Sequence, residues 1–584
     1  MSSRVCGTAM HRCLRLVRPR AVLPRVRFLP LVVSIDPSSR GLSTKRWDSK
    51  RLHKESMPET ENILLAQLSA NGNGDNDNGA NALNGQVVET KMGFARVAGV
   101  SEASLASLVQ FESGLEGYVV SLETSTVGVA LLGGIEAATV GVSVGDGLAH
   151  PPTPLSFPVG HSMLGRVVDP LGRERFPDAA ATSFLEDNSL SYAPTLNGGR
   201  GVPRIVERAT IQTPFYTGCK FIDLLHPLGH GQRLAFRGCK GTGKTKSALQ
   251  IIRNVKNGTG PQTKCVYVAM GHSEAQLKTI VHELDREGAL DYTCVVASFT
   301  DDCAGQTYLA PYSGSRLAEH LRDQGEHVLV VYDELGSHAL SVKSIAAMTN
   351  APFVPTNLHA NLLERGAQMR KGGGALTALA LLDTPSRSPH FVETESETSI
   401  WHVAEALGSA VDDTIDFEDK MAKRGQWPAV SMFDHGTKLA SCQQAALQSM
   451  VRTLHRLLID ARLAENASAR MKEFGIDPLD EGRVEVVEKV LEKEKIEMLF
   501  LNHANEYTPF ARLVLSVYVS VHGFLGNIPL PSIVEFEDYL WNEALKAGDL
   551  VEDLEHLRHD EPLSSEMLSL MREQIEAVVQ RSVE

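Results

Sequence analysis

No run of apolar residues in this 584-residue chain approaches the ~20 that a bilayer-spanning helix needs, so any contact with a membrane is expected to come only through partners. Positive charge is also scarce. Lys and Arg number 57 against 71 Asp and Glu, and the resulting formal charge of −14 argues against a surface built to neutralise nucleic-acid phosphates. The cysteines (Cys6, Cys13, Cys219, Cys239, Cys265, Cys294, Cys303 and Cys442) form no CxxC pair and no metal-finger spacing. Several lie inside apolar strand-like runs and read as reduced thiols in a reducing compartment. The first 35 residues lack Asp and Glu altogether, while Arg4, Arg12, Arg15, Arg18, Arg20, Arg25 and Arg27 stand among Leu and Val. That is the pattern of a mitochondrial transit peptide. A basic disordered arm is the alternative, because Pro19, Pro24 and Pro30 interrupt any long amphipathic helix.

What is present divides the chain by texture. After the basic arm (1–55), the segment 56–85 is expected to be a linker. Its core, NGNGDNDNGANALN, cannot bury enough apolar surface to fold. From 86 to 157, short Val-rich segments alternate with Gly and Ser turns, which predicts a small antiparallel β-barrel. From 158 to 446, short apolar runs separated by helical patterns predict a parallel sheet with crossover helices, with strands at 234–237, 265–270, 294–299, 328–332 and 376–382. The remainder, 447–584, reads as a C-terminal α-helical bundle. There Val487, Val490, Leu491, Met498 and Leu501 fall largely on one helical face.

The sharpest local signal is Gly238-Cys239-Lys240-Gly241-Thr242-Gly243-Lys244-Thr245, a complete GxxxxGK[ST] between the strand 234–237 and a helix expected over 246–252. Its glycines permit a path on which successive amide N–H groups converge on an anion, and the helix that follows adds the positive end of its dipole. These eight residues are the candidate nucleotide site, for ATP or ADP. Lys244 is expected at the β and γ phosphates, and the Thr245 hydroxyl on Mg2+. A second partner is the apolar run 328–332 ending in Asp333-Glu334, where Asp333 is the candidate for holding Mg2+ through water.

Over roughly 86–545 the chain resembles the alpha subunit of the F-type rotary ATP synthase, in its mitochondrial form. The resemblance rests on an ordered series. LVQFESGLEGYVVSLETSTVGVALLG lies in the barrel, then VGHSMLGRVVDPLG and GVPRIVERATIQTPFYTGCKFIDLLHPLGHGQRLAFRG before the loop. YLAPYSGSRLAEHLRDQGEHVLVVYDEL, HANLLERGAQM and GGGALTALALLDT follow in the core, and YTPFARLVLSVYVSVHGFL in the tail. It implies a RecA-like P-loop NTPase core between barrel and helical bundle. It also implies alternation with beta subunits in a hexameric ring, contact with a central-stalk gamma subunit and peripheral-stalk subunits, and a place on the matrix face of the inner membrane.

Departures from the family pattern bear on chemistry. The beta subunit has a catalytic Glu after the strand that follows the P-loop, and the alpha family usually has Gln; here the strand ends Met270-Gly271-His272. No carboxylate base stands there, since Glu274 is at another offset, so the site is expected to be non-catalytic. The arginine that the family lends to the neighbouring beta site is matched by Lys438, which keeps the charge but loses the planar two-pronged fork. Lys438 is nonetheless the candidate for a catalytic contribution in trans. Trp427 replaces an arginine before Pro428, and 502–507 replaces an adenine-associated loop in which Tyr507 survives as a candidate nucleotide contact. The segment 341–359 is shorter than in the family and 384–410 longer. Two other readings stay open: a drifted paralogue with a regulatory or structural role, and a self-contained P-loop ATPase. The acidic balance and missing carboxylate argue against the second.

Overall fold

The Val-rich segments at the start of the folded region build the sheet that their alternation predicts. In the computed structural model, residues 85–583 are described apart from 101–102, 177–188, 192–201, 212, 259–261, 386–393, 431–444, 474–483, 502–506, 527, 548 and 558–560. The expected leader and most of the linker, as well as Lys438, lie outside the described residues. Strands β1 (Gln86–Lys91), β2 (Phe94–Ala98), β3 (Ser107–Gln110), β4 (Glu116–Leu122), β5 (Thr126–Leu131) and β6 (Thr153–Pro154) pair antiparallel in the order β1-β2-β5-β4-β3-β6. The segment 145–149 closes the sheet towards a barrel. Val87 N donates to the Asp146 carbonyl at one edge (2.9 Å), and Ala149 N donates to the Gln110 carbonyl at the other (2.8 Å). Side chains alternate across the sheet. Val119 and Val129 fill the interior, whereas Tyr118 and Val120 turn outward onto the α/β core, where Tyr118 stacks on Tyr308 at 5.7 Å.

The α/β core is a parallel sheet of β7 (Val167–Val168), β8 (Arg233–Gly238), β9 (Thr263–His272), β10 (Thr293–Phe299), β11 (His327–Asp333), β12 (Ala375–Asp383) and β13 (Asp413–Phe417), in the order β13-β8-β12-β11-β9-β10-β7. The short strand Ala367–Gln368 pairs antiparallel with β12. All five expected strands are found, each longer by a residue or more. The central ones read as unbroken apolar runs because both faces are covered. In β9, Cys265, Tyr267 and Ala269 pack under helices α1 (Lys244–Asn254) and α2 (Glu274–Arg286), while Val266, Val268 and Met270 pack under α3 (Ala304–Asp323) and α4 (Leu335–Met348). Each fully buried Val or Leu of this kind contributes about 1.5–3 kcal/mol. Cys219, Cys265, Cys294 and Cys303 are buried free thiols, and Cys239 is a partly exposed one. The long segment after β12 contains α5 (Glu395–Ala410), which starts at a reciprocal cap between Thr394 and Glu397.

Among the described residues from 445 onward there are six helices: α6 (Ala445–Glu473), α7 (Val484–Leu501), α8 (Phe510–Val521), α9 (Ile533–Ala547), α10 (Asp549–Glu555) and α11 (Ser565–Val583). Helix α8 buries Phe510, Ala511 and every residue from Leu513 to Ser520, with Arg512 and Val521 partly exposed, so it forms the centre of the bundle. The face expected for α7 is shifted. Lys493, Ile496, Leu499 and Phe500 are its buried residues, and Leu491 is 44% exposed. Lys493 carries its ammonium to Glu465 on α6 and so occupies a face that a count of apolar residues assigns elsewhere. Among the described residues no helix is long and apolar enough to cross a membrane.

Candidate functional site

Strands β8, β9, β11 and β12 run parallel, so their C-terminal residues Gly238, His272, Asp333 and Asp383 come to one edge of the sheet. The loop after β8 can turn there only because of its glycines. Gly238 has φ +153°, and a Cβ on it would lie 2.3 Å from the Phe417 carbonyl oxygen. Gly243 (φ +98°) leaves the loop in the left-handed region, with the Trp427 ring against it, and α1 starts at the next residue.

Beside the loop lies a cavity of about 660 Å³, within the range of small-molecule sites. Of the eight loop residues, Lys240, Gly241, Gly243, Lys244 and Thr245 line it. Gly238 and Cys239 instead line a separate groove of about 620 Å³. Thr242 is buried and braces the turn through a 2.8 Å bond to the Cys239 carbonyl. Lys244, only 4% exposed, donates to the carbonyls of Gly238 (2.8 Å) and Cys239 (2.7 Å) and pairs with Asp383 at 2.7 Å.

Asp333 also lines the cavity. Burial alone would raise its pKa, but the His272 imidazole and the hydroxyls of Tyr267 and Thr245 outweigh that, and its carboxyl sits below the ordinary value. The Tyr267 hydroxyl donates to it at 2.6 Å, whereas His272 Nε2, at 3.6 Å, is beyond hydrogen-bond reach and acts through charge. That Nε2 is buried with no hydrogen-bond partner. Burial opposes protonation of His272, yet Asp333 and then Glu334 lift its pKa above the ordinary value. Glu334 caps α4, accepting from Gly336 N (3.0 Å) and Asp383 N (2.7 Å). Burial, reinforced by the Asp383 charge, lifts its pKa to about 7. Glu274 is turned away: it is 58% exposed and paired with Lys278.

The candidate contact Tyr507 is not brought to this cavity. It packs against Gly218 beside Asn254, at the end of α1 remote from the loop, and Thr508 N donates to the Gly218 carbonyl (3.1 Å). Tyr267, Glu334 and Asp383 are the site residues that sequence reasoning passed over. Only Glu334 carried a readable signal, an acidic residue immediately before a helix.

A glycine-rich turn between strand and helix, with a carboxylate ending the strand two places along the same parallel sheet, defines a P-loop nucleotide-binding core of the RecA-like kind. Residues 218–434 match the ATP synthase alpha/beta family, nucleotide-binding domain. The ATP synthase subunit alpha of Rickettsia canadensis (strain McKiel) is 30% identical over 491 residues, which cover 81% of this chain and 89% of that protein. The ATP synthase subunit alpha of Streptococcus pyogenes serotype M5 (strain Manfredo) is 31% identical over 471 residues, covering 77% and 85%. The chain belongs to the ATP synthase alpha subunit family.

Proposed function

We propose that this chain is the alpha-type subunit of a mitochondrial rotary ATP synthase, and that its P-loop holds Mg-ADP or Mg-ATP without hydrolysing it. In this reading it alternates with beta subunits in a hexameric ring around a gamma-containing central stalk, held by peripheral-stalk subunits at the matrix face of the inner membrane. The observation that carries the non-catalytic assignment is that β9 ends in the cavity on His272 rather than on a carboxylate, while Asp333 accepts from Tyr267, Glu334 holds two backbone amides, Glu283 pairs with Arg253 at 3.2 Å and Asp383 faces Lys244. His272 stands where a general base would be wanted. Among the described residues no carboxylate stands in that place.

The residues fit a metal-nucleotide. Lys244 is a buried cation, the loop glycines leave room for a close backbone approach, and the orphaned His272 Nε2 is a polar atom awaiting a partner. Lys244 would meet the phosphates, and Thr245 with Asp333 would hold Mg2+, which neutralises phosphate charge. The acid-free, Arg-rich first 35 residues support the mitochondrial assignment. Lys438 would serve the neighbouring beta site.

Replacing Lys244→Ala is expected to weaken nucleotide binding about 100-fold, the loss of charge-assisted contacts worth ~3 kcal/mol. Equilibrium dialysis of the full chain against ADP measures it. Affinity isolation of the tagged chain from gently solubilised mitochondria, with mass spectrometry, tests the assembly. Stoichiometric beta and gamma subunits are expected. Their absence would transfer support to a drifted paralogue, the reading favoured by the Trp427 ring against Gly243 where the family places an arginine.

A further inference from the structure

An ammonium group has three N–H donors. In this chain the Lys244 ammonium is enclosed by protein oxygens: the carbonyls of Gly238 and Cys239 and Asp383 Oδ1 at 2.7–2.8 Å, with the Thr242 hydroxyl further off at 3.4 Å. A phosphate oxygen can therefore reach the lysine only by displacing one of them. The two carbonyls belong to the loop backbone, and that of Cys239 is held further by the Thr242 hydroxyl. Asp383 is different. Its carboxylate is on a side chain that is 33% exposed and borders the cavity.

Its backbone, by contrast, is fixed. Asp383 is in register with Gly238 across the β8–β12 pair, its amide donates to Glu334, and Thr384 N donates to the Gly238 carbonyl at 2.9 Å. The carboxylate is thus held in contact with the P-loop lysine, and one side-chain rotation would release it. Asp333 and Glu334 line the same cavity, so a displaced Asp383 turns into a space already rich in negative charge.

We propose that Asp383 is an internal competitor for the phosphate position: in the nucleotide-free chain it takes the third donor of Lys244, and nucleotide binds by displacing it. This deepens, and rests on, the reading of the P-loop as a nucleotide site. The device lowers affinity without altering the loop, and it prevents a buried lysine from standing unpaired when the site is empty.

The test compares the full-length wild type with Asp383→Ala, Asp383→Asn and Lys244→Ala by titration calorimetry with ADP and ATP, with and without Mg2+. Removal of the competing carboxylate is expected to tighten binding about tenfold, the scale of one charge-assisted hydrogen bond. Thermal melting separates competition from scaffolding. The Asp383 variants should melt lower than wild type when empty and gain more from added ADP than wild type does. A merely structural role would lower both melting points alike. Unchanged or weaker binding by both Asp383 variants, while wild type binds and Lys244→Ala does not, would overturn the proposal and leave the P-loop reading standing. Wild-type binding that is indifferent to Lys244→Ala would remove the P-loop reading, and this inference with it.

Discussion

Lys220 and Glu537 form a buried ion pair at 2.5 Å, with side chains 2% and 3% exposed, that ties the α/β core to the C-terminal helices. Lys220 also donates to the Leu499 carbonyl on α7, and Glu537 of α9 accepts from Arg512 (3.2 Å) and Ser516 (2.8 Å) on α8. Replacing Glu537→Leu keeps much of the volume but strands an ammonium in the interior, an error that costs about 3–5 kcal/mol. Lys220→Met should cost less, because Glu537 keeps Arg512 and Ser516. The double variant Lys220→Met/Glu537→Leu should recover most of the loss, since apolar pairs often replace buried ion pairs at little cost. A chain with several folded parts need not melt in one step, so the measurement is native-state hydrogen exchange of α8 and α9 amides. There is also a pH signature. Burial lowers the Lys220 pKa to about 8, although the Glu537 charge opposes the shift. The folded state then binds fewer protons than the unfolded state, whose lysine titrates near 10.4, and stability rises with pH across that interval. Without Glu537 the rise should begin below pH 8. A cost under about 1 kcal/mol for Glu537→Leu, or a double variant as unstable as the sum of its singles, would refute the reasoning.

Gly238→Ala should cost about 3 kcal/mol and abolish the loop geometry, because the added methyl meets the Phe417 backbone rather than a movable side-chain tip; scanning fluorimetry with and without ADP reads both effects. The buried pair His338–His359, joined at 3.0 Å, predicts acid lability. Burial lowers His338 to about 4, and burial followed by the neighbouring His338 lowers His359 too. The unfolded chain therefore binds more protons between about pH 6.5 and 4, and stability is lost as pH falls through that window, by about 2 kcal/mol at pH 5 for His338. Asp223 and Glu334, both raised to about 7 chiefly by burial, act in the opposite direction. The quantity to measure is hence the difference in urea midpoint between pH 7.5 and 5 for wild type against His338→Phe. An unchanged difference would exclude the histidine pair as its source.

The parts legible in the sequence are those whose cause is local. An apolar run such as 265–270 carries its own strand assignment, and the glycine-rich turn after 234–237 carries its backbone path. The buried face of α7 was misassigned because Lys493, a polar letter, is buried through its contact with Glu465 on another helix, while Leu491 stays exposed. Tyr507 illustrates the same limit. Its place in the tail was readable, but its packing on Gly218 depends on how the bundle meets the core.

Within the loop itself, one motif divides into three tasks that its letters do not distinguish. Spacing fixes the backbone path, and the path decides which residues face the cavity. Lys240, Gly241, Gly243, Lys244 and Thr245 do, while Gly238 and Cys239 turn their carbonyls to the Lys244 ammonium and Thr242 fastens the turn. The charge balance of the site is less local still. Asp383 reaches Lys244 only because β12 lies between β8 and β11, so that its last residue ends beside the loop. A sequence motif can name the lysine. The carboxylate that occupies it becomes visible only when strand order is known, and strand order is a property of the sheet as a whole.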